Sequence, residues 1–180
     1  MSTDANLARA IFEVSHLTGD FTLRSGIAAT EYFDKYRFES DPQLLAWIAS
    51  TMVGLIPEET EILAGLEMGG IPVVTALSRE TGLPAAFVRK ERKAYGTCRI
   101  AEGPELSGRR LTVVEDVVTK GGAVVAGVKD LREDGAVVEV AVCVVDREQG
   151  GREALAEVGI ELRPLFTADE LRVSVSSIVG

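Results

Sequence analysis

The stretch LTVVEDVVTKGGAVVAGV, Leu111 to Val128, decides the fold. An apolar, β-branched run carries two adjacent acids, Glu115 and Asp116, to its end, and a Thr-Lys-Gly-Gly turn then opens a segment of helical period. A strand running through such a turn into a helix builds an anion cradle. Glycines admit the backbone, the N–H groups of the turn and of the helix N-terminus face the anion, and Thr119 adds a hydroxyl. Neither GxxxxGK[ST] nor GxGxxG is present, so this is not a Walker A loop or a dinucleotide fingerprint. Acids beside a phosphate cradle would repel the phosphate itself and suit a sugar diol or Mg²⁺. Read without any relative, they fit equally well as strand-end acids before an ordinary turn.

Outward from this stretch the chain alternates strand and helix patterns. DPQLLAWIASTMVGLI has Asp41 as an N-cap and Pro42 at the first helical position, with Leu44, Ile48 and Met52 on one face. EILAGLE (61–67) reads as a short buried strand ending at Gly69-Gly70, and IPVVTALSRETG as a helix closed by Gly82. Further strands are expected over 85–89, 110–116, 137–146 and, at an edge, 160–166, with a helix over 123–133. Continuous Val/Ile/Leu runs alternating with helices predict a parallel sheet covered on both faces. The expected fold is therefore α/β, one domain over 1–180, with a long polar loop over about 90–108 that fits neither pattern and is expected to be mobile or functional.

Composition narrows the function classes. The chain has 180 residues, enough for one domain with its own core. A net charge of −9, from 19 basic and 28 acidic residues, argues against non-specific nucleic-acid binding, which needs a basic footprint. A local basic loop can still hold a small anion. Two cysteines, Cys98 and Cys143, fit a reducing compartment with no disulfide framework. With no secretory leader pattern and no long apolar span, a cytoplasmic location without membrane contact is expected. A single histidine, His16, removes His-rich metal sites and HExxH chemistry. It falls in a region patterned as an N-terminal helix and reads as a surface or packing residue.

VVEDVVTKGG resembles the phosphoribosyl pyrophosphate (PRPP) motif of type I phosphoribosyltransferases. That resemblance implies that Glu115 and Asp116 hold ribose hydroxyls, while Val117, Val118 and the loop Thr119, Lys120, Gly121, Gly122 and Ala123 hold the 5′-phosphate. Three further segments are similar to the orotate phosphoribosyltransferases. FTLRSGIAATEYFDKYRF (21–38) matches an N-terminal signature that puts Arg24, Tyr32 and Phe33 at the orotate site, and VVDREQGG (144–151) puts Arg147 there, with Thr119 beside it. VRKERKAYG (88–96) resembles the family's basic mobile loop, with Arg89, Lys90 and Lys93 on pyrophosphate. The Glu67–Gly70 turn resembles the pyrophosphate loop, where the backbone of Gly69 and Gly70 comes close to substrate and a strained or cis peptide would be in place.

The implied reaction is Mg²⁺-dependent transfer of phosphoribose from PRPP to orotate, with Lys93 and Asp116 as the catalytic residues and no protein side chain as the main metal ligand. The resemblance also implies a small hood of N- and C-terminal segments and a homodimer whose loop reaches the neighbouring site. Departures are Tyr95 in place of the loop histidine, Lys120 in the phosphate loop, Gly69 where some members have Lys, and Ala29 where Ser is common. Another base, or a regulator that binds PRPP without turnover, remains the alternative.

Overall fold

The computed structural model describes residues 3–22, 26, 28–93 and 99–176. Helix α1 (Thr3–Ser15) leads into an antiparallel hairpin, β1 (His16–Thr22) and β2 (Ala28–Phe33). Helices α2 (Tyr36–Ser40) and α3 (Pro42–Met52) follow, and a 3₁₀ turn (Val53–Leu55) closes α3. The Asp41 carboxylate caps α3 as its sequence position predicts, accepting the N–H groups of Gln43 and Leu44 at 2.9 and 3.0 Å.

The remaining chain builds β3 (Ile62–Leu66), α4 (Gly70–Thr81), β4 (Ala85–Val88), β5 (Ala101–Glu102), β6 (Arg110–Val118), α5 (Gly122–Glu133), β7 (Val137–Asp146), α6 (Gly151–Glu157), β8 (Glu161–Thr167) and α7 (Ala168–Ser176). The sheet order is β5-β4-β3-β6-β7-β8; β5 alone pairs antiparallel, on β4. Val113 and Cys143 face a core shared with α5 and α6, while Val114, Val142 and Val144 face one shared with α1, α3, α4 and α7. A sheet buried on both faces explains why its strands read as unbroken apolar runs.

The central sheet is parallel as expected except at β5, which adds an antiparallel edge. Two other expectations need correction. The segment 90–108 is not one long loop: Ile100, Ala101 and Leu106 are buried in the core, which anchors its second half. His16 lies at the start of β1 rather than within a helix, its ring stacked on Phe12 at 4.6 Å and 3.4 Å from the Glu31 carboxylate.

Strand order positions the site. From β3 the chain steps to β4 on one side, and it returns to β6 on the other side. The crevice at the carboxyl ends of such neighbouring strands is where open α/β sheets bind ligands. The Glu67–Gly70 turn leaves β3 there, and the acids and glycines of 115–123 leave β6 beside it.

Candidate active site

Asp116 is fully buried, and Glu115 nearly so. The Val117 N–H donates to Asp116 Oδ1 at 2.5 Å, and Lys35 Nζ lies 2.6 Å from Oδ2. Glu39, a buried residue of α2, joins the same cluster. Three carboxyls therefore share one ammonium. Burial, then the neighbouring Asp116 carboxylate, pushes Glu39 up to about 9 and Glu115 well above the usual carboxylate range. Burial would raise Asp116 too, but its interactions with Glu115, Glu39 and Lys35 outweigh this and hold it below its ordinary value. The cluster thus favours negative charge on Asp116 over charge on its two carboxyl neighbours.

The charge state has a consequence for stability. Folded Glu39 keeps its proton to about pH 9, whereas an unperturbed glutamate loses it near 4.5. Between these values the unfolded chain binds fewer protons, so stability falls as pH rises. The Glu39→Gln protein should show a shallower fall in denaturation midpoint between about pH 6 and pH 9 than the wild type. Parallel curves would show that Glu39 ionises normally.

The pyrophosphate-loop candidate meets the acid pair directly. A Cβ on Gly69 would stand 1.8 Å from Asp116 Oδ2, and one on Gly70 would stand 2.4 Å from the Val114 carbonyl oxygen. The Glu67–Met68 peptide is cis. Beyond β6, Gly121 has φ +74°, and a Cβ there would meet Leu155 Cδ1 at 2.6 Å. This left-handed turn starts α5 without a side-chain cap, so the N–H groups of its first turn have no capping side chain. Thr119 and Lys120 are exposed, Val118 is buried and Val117 is half-buried.

The orotate candidates meet at the hood. The Arg147 guanidinium lies over the Phe33 ring, 5.5 Å from its centroid, and the Arg147 N–H donates to the Val118 carbonyl at 2.8 Å. Tyr32 is partly exposed and tilted against Phe21 at 5.5 Å. A cleft of about 610 Å³ opens here, lined by Phe12, His16, Tyr32, Phe33, Arg147 and Arg172 among others. Burial, and then the Arg172 charge, lowers the Arg147 pKa, and both arginines line this cleft together with Glu31. Arg24 lies outside the described residues, as do Tyr95 and Cys98.

The basic loop residues are not on the acid pair. Lys93 pairs with Glu102 of β5, and Arg89 approaches the same carboxylate at 3.6 Å. Two strands, β4 and β3, separate β5 from β6. Arg92 reaches α5 instead, donating to Asp134 at 2.8 Å. The Lys90 N–H donates to the Glu67 carboxylate at 3.3 Å, which links the loop to the Glu67–Gly70 turn. Sequence reasoning missed Lys35 and Glu39. Charged residues on a short amphipathic segment read as a solvated face, and only tertiary packing brings them to Asp116.

The phosphoribosyl transferase domain family matches residues 42–163. An orotate phosphoribosyltransferase of Nocardioides sp. is 56% identical over 171 residues, covering 95% of this chain and 96% of that protein. One from Methanocella arvoryzae is 46% identical over 85% of this chain and 87% of its own length. Among solved structures, Mycobacterium tuberculosis orotate phosphoribosyltransferase in complex with PRPP superposes with a TM-score of 0.81 at 30% identity, covering 94% of this chain and 98% of that one. Sequence similarity running through nearly the whole chain, on a sheet whose switch point juxtaposes the acid pair and the glycine turns, leaves no room for a fold-only likeness: the chain belongs to the orotate phosphoribosyltransferases.

Proposed function

We propose that the protein transfers the phosphoribosyl group of PRPP to N1 of orotate, giving orotidine 5′-monophosphate and pyrophosphate in pyrimidine nucleotide synthesis. The observation that supports this reading is the close packing of Asp116 against Gly69, which brings the strand end that would bind ribose and the turn that would bind pyrophosphate together. Thr119 to Ala123 and the start of α5 would hold the 5′-phosphate, with Val117 and Val118 leading into that loop. Glu115 and Asp116 would accept from the ribose hydroxyls. Phe33 and Arg147 would hold orotate, the planar guanidinium pairing with the carboxylate or the ring carbonyls. Tyr32 and Arg24 belong to the same proposed site.

The anomeric carbon gains positive charge as its bond to the diphosphate oxygen breaks, and N1 of orotate then bonds to that carbon, its N1 proton passing to the departing diphosphate or to solvent. The protein's task is to neutralise the leaving diphosphate and to exclude water that would otherwise capture the sugar. Lys93 would move from Glu102 to the diphosphate, and Arg89 and Lys90 would close with it. Mg²⁺ would supply further charge neutralisation to the diphosphate. Asp116 and Glu115 are occupied by Lys35, Glu39 and one another, which fits a metal carried by the diphosphate and water instead of by side chains. A homodimer in which this loop reaches the partner's site, acting in the cytoplasm, completes the reading. No helix among the described residues is long and apolar enough to cross a membrane.

Release of pyrophosphate from PRPP across a panel of bases tests the reading. Orotate should be strongly preferred; turnover with a purine but not with orotate, or PRPP binding without turnover, would overturn it. Within the site, Arg147→Ala should raise the KM for orotate about tenfold to a hundredfold and leave that for PRPP nearly unchanged, since hydrogen bonds to a charged group contribute ~1.5–3 kcal/mol. A rise in the PRPP constant alone would misplace Arg147.

A further inference from the structure

Lys35 stands just before α2 and carries no motif, yet it occupies the junction of the two substrate-facing turns. Its Nζ is 2.6 Å from Asp116 Oδ2, and that oxygen would be 1.8 Å from a Cβ on Gly69. Ammonium, carboxylate and pyrophosphate-loop backbone therefore meet at one point. About a third of the Lys35 side chain (32%) remains open to solvent, while Asp116 has no exposure. An ammonium has three donors, and one carboxylate oxygen does not exhaust them.

Charge makes a cation necessary here. The turn contributes Glu67 and no basic residue, and Asp116, the charged acid of β6, lies against Gly69. Arg89 and Lys93 are held at Glu102 of β5, which β4 and β3 separate from β6. A diphosphate brought to this turn with the loop still open meets acidic groups unless a cation is already in place, because like charges are costly at contact. Lys35 is fixed there by its own ion pair, so little side-chain freedom is lost when a ligand arrives.

Resting on the reading that the protein takes PRPP, we propose that Lys35 is a pyrophosphate-binding residue: anchored on Asp116, it presents its remaining N–H donors to the diphosphate seated on the Glu67–Gly70 turn. The ion pair would then couple the two halves of the substrate, since Asp116 belongs to the strand end assigned above to the ribose.

Titration of inorganic pyrophosphate with Mg²⁺, and separately of ribose 5-phosphate, into wild type, Lys35→Gln and Lys35→Arg tests this. Lys35→Gln should weaken pyrophosphate about tenfold and ribose 5-phosphate less than twofold, and Lys35→Arg should recover most of the loss. A pyrophosphate loss of fivefold or more that exceeds the ribose 5-phosphate loss carries the proposal. A smaller loss, or an equal loss for both ligands, overturns it and leaves Lys35 serving Asp116 alone. Should Lys35→Gln fail to fold with Asp116 unpaired, comparing Lys35→Gln/Asp116→Asn with Asp116→Asn reads the same difference in a neutral cluster. Failure of the functional reading looks different: the wild type would bind pyrophosphate but form no product from orotate and PRPP.

Discussion

Lys93→Ala is expected to lower turnover about a hundredfold to a thousandfold, the size seen when a single preorganised charge-stabilising donor is removed. The loss should fall on kcat more than on the KM for PRPP. Lys93 pairs with Glu102, and a solvent-exposed ion pair of this kind contributes little. Exchanging that carboxylate for ground-state substrate changes little. The interaction strengthens only as charge builds on the leaving oxygen, which is the signature of transition-state binding. Lys93→Ala chains mixed with Asp116→Asn chains give a second readout. If the loop serves the neighbouring site, one site of each mixed dimer is assembled from two unmutated halves and activity returns. Parents that exchange subunits and stay inactive would exclude a shared site, and a KM effect with unchanged kcat would reduce Lys93 to a ground-state binder.

The parts of the fold legible in sequence are those whose residues answer to one dominant force. β3, β6 and β7 are covered on both faces, so their apolar runs are continuous, and Asp41-Pro42 and Gly82 mark helix ends through backbone hydrogen bonding alone. The hairpin β1–β2 had no such signal: β1 is half-buried at most, and no apolar period runs along it. β5 is two residues long, too short for any period, and it is fixed by pairing Val88 with Ala101 and by the burial of Ile100 beside it.

The candidate site divides in the same way. Glycines and acids at 115–123 are legible because a backbone cradle needs those residue types in that order. Glu39 and Lys35 are not, because nothing local distinguishes a buried carboxyl on α2 from an exposed one, and only tertiary packing brings their side chains to Asp116. The destination of Lys93 also lay beyond sequence reasoning. Composition shows a basic segment in an acidic chain, but the partner of Lys93, Glu102, belongs to a strand that the sequence hid.

Gly69→Ala should be the most damaging small substitution in the crevice. Gly69 has φ −69° and ψ −33°, which any residue adopts, so the expected effect comes from space alone. The added methyl would lie 1.8 Å from Asp116 Oδ2, 2.3 Å from its Cγ and 2.8 Å from Oδ1, all well inside contact distance. Asp116 has little freedom to yield, since Val117 N–H and Lys35 hold its two oxygens. The turn cannot slide toward β6 either, because a Cβ at Gly70 would already be 2.4 Å from the Val114 carbonyl, leaving the backbone there in close contact. Overpacking of this kind costs ~1–3 kcal/mol, about 2–12 °C of melting temperature for a chain of this size. Displacing Asp116 from Lys35 should also raise the KM for PRPP about a hundredfold, since two charge-assisted contacts are disturbed together. A double-mutant cycle isolates the cause. In an Asp116→Asn background the clash persists, because the amide fills the same volume, whereas in an Asp116→Ala background adding Gly69→Ala should cost little further stability. Additive losses in the alanine background, or a Gly69→Ala protein with the melting temperature and PRPP constant of wild type, would mean that the turn and the acid do not meet as closely as the crevice geometry requires.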